Sequence, residues 1–361
     1  MSAPEPTAQD APLGTAVVTG ATGLLGNALV TALLERGTEV RAIVRDEQRA
    51  RTLLPDHPAL RLIAGDVTDV SGFGPHLRGA DAVFHLAAYF REYYQPDADT
   101  GLLMRTNVTA VRDLLYAAAE CGVPTVVHTS STGALAPDPE RGPADEDTAN
   151  GSPDQRHAYR ASKVRAEQVV AEFTERFVTH GVRVPMVLPG WMWGPGDQGP
   201  TSAGRLFLAV ATGQVRALPR VGNHVVDARD VAQVMLRAAL RGRPGRRYIA
   251  AGGWHTLEEV CTGIVRSTGT GTVPRAVPPA AAMVAATVME ARARLTGRAP
   301  VATRTGVRTL REGHHARFSS LRAARELGAT FRPLEQTLAD QAAWHRSRGQ
   351  LPPARVSAGR R

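Results

Sequence analysis

Lysine is almost missing from this chain. Of its 43 basic residues only Lys163 is a lysine and the rest are arginines, so position 163 is one where a compact, titratable amine is wanted and a planar guanidinium does not serve. Cysteine is scarce as well. Cys121 and Cys261 fall inside helical patterns with neither metal-ligand nor disulfide spacing, which excludes a thiolate metal centre and a disulfide framework, predicts packing roles, and fits a reducing cytoplasm. No metal is expected. No apolar run reaches the length of a membrane span, the alanine-rich stretch from Ala280 to Val288 being too short, so no membrane partner is expected. The first thirteen residues carry Pro4, Pro6 and Pro12 but no apolar core, and read as a disordered arm rather than a signal peptide. Basic blocks are absent except for the closing Gly359-Arg360-Arg361; the net charge of +9 is spread and interleaved with Asp and Glu. That pattern argues against nucleic acid and suits an enzyme holding a polyanionic cofactor.

What is present alternates. Strand patterns fall near 15–19, 39–44, 60–64, 82–86, 124–129 and 182–188, and helical patterns near 23–36, 102–121 and 157–179, with a short one after Asp46. Alternation of this kind predicts an α/β fold, a Rossmann-type doubly wound parallel sheet with helices on both faces. Beyond about 190 the pieces shorten, with helices near 201–212, 228–241, 256–267, 279–296, 319–327 and 334–346 and a strand over 247–250. The expected division is an arm at 1–13, a dinucleotide-binding domain at 14–190, a smaller substrate lobe at 191–348 with part of 228–250 returning to the sheet, and a flexible tail at 349–361. The loop 137–153, rich in Pro, Gly, Asp and Glu, reads as a mobile flap over the site.

Two signals carry chemistry. The strand Thr15-Ala16-Val17-Val18-Thr19 runs into Gly20-Ala21-Thr22-Gly23-Leu24-Leu25-Gly26, which opens a helix. Glycines at 20, 23 and 26 allow a tight turn, close approach of a pyrophosphate and close helix–sheet packing, and the helix N-terminus offers free N–H groups to an anion. Tyr159 stands four residues before Lys163, one helical turn, so phenol and ammonium share a face.

With Thr129-Ser130-Ser131 at the end of the fifth strand, the chain resembles the extended short-chain dehydrogenase/reductase family, the NAD-dependent epimerase/dehydratase superfamily. The resemblance extends through Gly65-Asp66-Val67, His85-Leu86-Ala87-Ala88, Asn107-Val108 and Pro189-Gly190-Trp191-Met192-Trp193-Gly194-Pro195. It implies that Tyr159 donates a proton to a carbonyl oxygen as hydride arrives, that Lys163 stabilises the phenolate and grips the nicotinamide ribose, and that Ser131 bonds the substrate oxygen. Asn107 either anchors a water chain or stabilises its helix. Ser131 also has a plainer reading as a strand-end cap. Asp66 suits the adenine amino group and Val67 its ring, although an acid after a strand is also an ordinary turn former. Leu86, Ala87, Ala88, Pro189 and Gly190 complete the implied cofactor cleft, together with Thr22, Leu24 and Leu25 of the glycine turn.

Arg45 lies 19 residues after Gly26, where an NADP enzyme places arginine and an NAD enzyme an acid. NADP(H) is therefore favoured, with NAD(H) left open by Asp46 one residue on; Arg41 and Arg49 are secondary candidates for the phosphate. Nucleotide-sugar members show Arg-x-x-Asn after the sixth strand, where this chain has Leu188 and Trp191; dehydratases carry Asp-Glu where it has Thr132-Gly133. Tyr89, Phe90, Tyr93, Trp191 and Trp193, with Thr132, would flank an apolar or aromatic substrate; the alternative is that the aromatics pack the lobe interface. Phe318-Ser319-Ser320-Leu321 through Leu327-Gly328 resembles the dihydroflavonol-reductase-like branch. The expectation is a cytoplasmic NADPH-dependent reductase of a ketone or aldehyde on a hydrophobic small molecule, reversible to alcohol oxidation, of a secondary-metabolism kind, dimeric through 102–121 and 157–179. A nucleotide-sugar epimerase with bound NAD and a non-catalytic NADP(H)-sensing regulator are the alternatives.

Overall fold

The computed structural model describes residues 13–90, 98–154, 157–177, 181–296 and 303–352. Its first half runs β1 (Thr15–Thr19), α1 (Leu24–Glu35), β2 (Glu39–Val44), α2 (Glu47–Leu53), β3 (Leu60–Ala64), β4 (Ala82–His85), α3 (Thr100–Met104), α4 (Ala110–Glu120), β5 (Val126–Thr129), α5 (Ala158–Arg176) and β6 (Met186–Pro189). The second half holds β7 (Trp191–Trp193), α6 (Ser202–Ala211), β8 (Ala217–Pro219), β9 (Gly222–Asp227), α7 (Ala228–Arg241), β10 (Arg247–Ala250), β11 (Gly253–Thr256), α8 (Leu257–Thr268), β12 (Arg275–Val277), α9 (Pro279–Thr296), α10 (Arg304–His315), α11 (Leu321–Leu327) and α12 (Leu334–Ser347).

Seven strands pair in the order β10-β6-β5-β4-β1-β2-β3, every pair parallel. The β4, β5 and β6 residues are buried throughout, which is why these strands are continuous apolar runs rather than alternating ones: helices cover both faces. On one face α1 sinks Leu25, Leu29 and Leu33, four residues apart, into a core shared with α7 and α11. On the other, α4 and α5 contribute Val111, Leu114, Leu115, Ala166, Val170 and Phe173. Strand order reverses between β1 and β4, so the crevice for a dinucleotide lies at the carboxyl ends of the strands there.

A second sheet, β11-β9-β7, and the pair β12-β8 build the smaller part with α6, α8 and α12. Several sequence expectations need correction. The strand expected from 182 joins the ladder only at Met186, because Pro185 has no N–H to donate; before it the pairing is reduced to a bridge between Thr125 and Arg183. The helix expected over 102–121 is interrupted by a π-helical stretch, Arg105–Thr109, between α3 and α4. Helix α10 was not foreseen: it is polar along most of its length and is held by Val307 against Ala282 and Ala286 of α9.

The loop 137–153 is no flap. Arg247 donates to the carbonyls of Glu146 and Thr148 and to Asn150 Oδ1 at 3.4, 3.0 and 2.7 Å. Glu146, buried, accepts from Ile249 N at 2.9 Å on the open edge of β10, and Arg322 pairs with both Glu146 and Asp147. A loop of this polarity reads as mobile in sequence because its partners leave no local mark: Arg247 lies 97 residues from Asn150, and Arg322 lies 175 from Asp147.

Candidate active site

The glycine turn closes as a cradle. Gly20 has φ +72°, and a Cβ there would lie 2.7 Å from Ala87 N at the end of β4; at Gly26 a Cβ would lie 2.1 Å from Gly20 O. The inner side of the turn is therefore fully packed. A Cβ at Gly23 would meet only Gly20 O, at 3.3 Å, so the outer side is open where α1 begins with Gly23 as an N-cap lacking a side-chain bond. The first N–H groups of the helix, from Leu24, Leu25 and Gly26, have no intrahelical acceptor and face an anion site. Leu86, Ala87 and Ala88 follow β4 half-buried beside it, and Thr22 is half-buried in the turn itself. The residues present thus fit a dinucleotide.

At the end of β2, Arg45 is exposed, whereas Asp46 is the N-cap of α2 and accepts from Arg49 N at 2.9 Å. Arg41 donates through one guanidinium nitrogen to the carbonyls of His76 and Arg78 at 2.9 and 2.8 Å. Asp66 Oδ1 accepts from Thr68 N and Oγ1 at 2.8 and 2.7 Å. Burial works against the Asp66 charge, but those bonds and the Arg45 guanidinium hold its carboxyl below the usual range. Arg45 and Asp66 therefore lie on the same rim, with half-buried Val67 next to them.

Lys163 is buried, and its Nζ donates to the carbonyl of Thr129 at 2.8 Å while lying 5.9 Å from the Tyr159 ring centroid. Burial lowers its pKa to about 8, and the carboxylate of Glu167, one further turn along α5, pulls the other way. Ser131, two residues beyond Thr129, accepts from Gly133 N at 3.1 Å as the cap of a short 3-10 turn, Thr132–Ala134. That turn packs on α5. The capping bond uses a lone pair of Ser131 and leaves its hydroxyl hydrogen able to donate. Thr132 Oγ1 is turned to Pro189 O at 3.2 Å, tying the ends of β5 and β6 together beside Gly190.

Asn107 sits buried in the π-helical stretch, accepting from Tyr89 N at 2.7 Å and donating to Ser162 Oγ at 3.0 Å; Ser162 in turn donates to the carbonyl of Tyr159 at 2.7 Å. The wide helical turn brings one side chain into reach of two other segments, as such turns often do at functional sites. Asn107 thus braces the loop after β4 against α5 at the candidate tyrosine. Phe90 meets the Tyr159 ring edge-on, centroids 5.1 Å apart, and Tyr89 Oη accepts from Asp99 N at 3.1 Å. Tyr93 lies outside the described residues. Trp191 is half-buried, but Trp193 is fully buried in the small-lobe core, edge-on to Trp191 at 4.8 Å. Trp193 therefore supports the wall and does not face the mouth, as the packing alternative had it.

Five polar residues here, Ser130, Glu167, Arg247, His85 and His128, had no role assigned from the sequence. Ser130 donates to Glu167 Oε1, and Glu167 Oε2 pairs with Arg247 Nε at 3.0 Å. His85 and His128 stack, centroids 5.8 Å apart, where β4 and β5 run side by side; His85 Nδ1 meets Thr19 Oγ1 at 2.8 Å. Burial, followed by the nearby Lys163, pushes His85 down to about 3 and His128 well below the imidazole range, so both are neutral. Ser130 and His85 stand within the motifs quoted above, and Glu167 left a trace as an acid four residues after Lys163 on the same helical face.

A seven-stranded sheet with a glycine turn and a buried amine beside a phenol defines an NAD(P)-dependent oxidoreductase of the extended short-chain type. The chain belongs to the NAD-dependent epimerase/dehydratase family, whose profile matches residues 16–251. It is 32% identical over 339 residues to sterol demethylase protein B of Methylococcus capsulatus, covering 93% of this chain and all of that one. It is 30% identical to a candidate dihydroflavonol 4-reductase of Synechocystis sp., covering 92% of this chain and 95% of the relative. Among solved structures it resembles gox2253, with a TM-score of 0.77, 31% identity and coverage of 94% of this chain and 100% of the other.

Proposed function

We propose that the protein reduces a ketone or aldehyde on a hydrophobic small molecule with NADPH, reversibly. The observation that carries this reading is the position of Lys163, its amine buried on the Thr129 carbonyl within reach of the Tyr159 ring and two residues from Ser131. A dinucleotide held in the glycine-turn cleft would supply hydride to the carbonyl carbon. Ser131 donates a hydrogen bond to the carbonyl oxygen and orients it, and Tyr159 passes its phenolic proton to the oxygen as negative charge develops there. Lys163 stabilises the resulting phenolate electrostatically and can hold the ribose hydroxyls, since the Thr129 carbonyl takes only one of its three N–H donors. Asn107 fixes the depth of α5 through Ser162. Gly20, Gly23 and Gly26 admit the pyrophosphate, Arg45 takes the 2′-phosphate, and Asp66 with Val67 receives the adenine.

Two observations support NADPH over NADH: Arg45 is exposed at the right rim, and the competing Asp46 is already used as a helix cap. An apolar substrate is supported by Phe90 against Tyr159, by half-buried Trp191, and by relatives whose names refer to a sterol and a flavonol. A panel of aliphatic, aromatic and polycyclic ketones and aldehydes, with nucleotide sugars as the contrasting set, followed by cofactor absorbance at 340 nm, tests it. NADPH oxidation with an apolar carbonyl is expected. Turnover of a nucleotide sugar with no net change in absorbance would establish the epimerase instead.

A further inference from the structure

Beneath the proposed catalytic groups lies a buried charge that the reaction as described does not use. Glu167 is 3% exposed. It lies one helical turn beyond Lys163 on the inward face of α5, and both of its oxygens are engaged. Oε1 accepts from Ser130 Oγ, and Oε2 pairs with Arg247 Nε at 3.0 Å. Ser130 is the residue between Thr129, whose carbonyl holds the Lys163 amine, and Ser131, the proposed partner of the substrate oxygen. One carboxylate therefore touches the short segment that positions both. Arg247 leads outward from it, through Thr148 and Asn150, into the loop that is clamped over the edge of the sheet.

A carboxylate taken out of water at this depth is costly unless it has work for its charge. The groups facing Lys163 are Tyr159 and Glu167 on α5, His128 on β5 and His85 on β4, and burial keeps both histidines neutral. Among the described residues Glu167 is thus the carboxylate that acts on the ammonium, with Arg247 as its partner on the far side. The pull of Glu167 on Lys163 opposes the loss of its proton that burial favours.

We propose that Glu167 is a positioning residue of this site: one helical turn from Lys163, its carboxylate is the counter-charge to the buried amine and, through Ser130, fixes the Thr129–Ser131 segment that holds the amine and presents the serine. This rests on the reading of Lys163 and Ser131 given above. Arg247 anchors the carboxylate and sets its geometry from β10.

The single lysine makes the test direct. Protein labelled with [13Cε]lysine gives one side-chain carbon resonance, whose titration reports Lys163 with no substrate required. Glu167→Gln is close in shape and can still bond Ser130. Its resonance is expected to titrate at least one pH unit below the wild type, and the alkaline limb of its kcat profile should move by the same amount, with KM for NADPH changed less than threefold. A folded Glu167→Gln whose midpoint stays within 0.3 unit of wild type would overturn the proposal. Should that variant not fold, Ser130→Ala leaves the carboxylate in place and cuts its tie to the strand end. A kcat reduced at least fivefold at unchanged NADPH affinity is then expected, and an unchanged kcat would overturn the proposal. A midpoint shift in Glu167→Gln from a protein that turns over no carbonyl would support the role of Glu167 while sinking the reductase reading, so the two failures are distinct.

Discussion

Lys163 donates to the carbonyl of Thr129 at 2.8 Å, and this bond joins the middle of α5 to the end of β5. It fixes the amine 5.9 Å from the Tyr159 ring centroid, so the two side chains that sequence spacing placed on one helical face act at one point. Tyr159→Phe removes the hydroxyl proposed as the proton donor and keeps the ring. It is expected to lower kcat by about 10²- to 10⁴-fold with NADPH affinity within threefold, measured by steady-state kinetics and fluorescence titration. A variant with wild-type turnover would reassign the acid.

The proposed preference for NADPH rests on Arg45. A charge-assisted bond to phosphate contributes roughly 1.5–3 kcal/mol, so Arg45→Ala should raise Kd for NADPH by about 10- to 100-fold and leave Kd for NADH within twofold. Equal losses for both dinucleotides would place the 2′-phosphate elsewhere.

The glycine turn sets a steric prediction. Gly26→Ala brings a methyl group to 2.1 Å from the Gly20 carbonyl, backbone that cannot swing aside. Overpacking of this kind costs roughly 1–3 kcal/mol or more. The thermal midpoint should fall by several degrees and NADPH binding by at least tenfold; unchanged binding would show that α1 is free to shift.

The buried histidines make stability depend on pH. His85 is held down to about 3 and His157 to about 4, both chiefly by burial, and His128 well below its ordinary value. Each binds its proton in the unfolded chain near pH 6.5 but stays neutral in the native protein. Between 6.5 and the folded value the unfolded state holds more protons, so stability is complete above about pH 6.5 and falls as the pH drops, by up to ~1.4 kcal/mol per pH unit for each group. Both ring nitrogens of His128 lack a hydrogen-bond partner among the described residues. His128→Phe should therefore fold at pH 7 and lose less stability than wild type between pH 7 and 5 in thermal melts. Parallel curves would mean that His128 is protonated in the native state.

What could be read in the sequence was local or periodic. The glycine turn, the Tyr159–Lys163 spacing and Arg45 after β2 are short-range patterns, and α1, α5 and α7 follow from apolar residues at helical intervals. The small-lobe sheet was not legible, because β7, β8 and β12 are three residues each and too short to show alternation. Long-range polar contacts were hidden for a different reason. Arg247 meets Glu167 from the far edge of the sheet, and Arg322 meets Asp147 across 175 residues; such pairs depend on topology and carry no spacing signal. Trp193 was misplaced because an aromatic beside a cleft and an aromatic in the core behind it look the same in one dimension.

Lys163, the one lysine, is a buried amine on which the proposed chemistry depends. Titration of its 13Cε resonance in the wild-type protein without cofactor tests that most directly. A midpoint near pH 8, shifting when NADPH is added, is the predicted result. A midpoint near 10.4, the value of a solvated lysine, and indifference to NADPH would contradict the account.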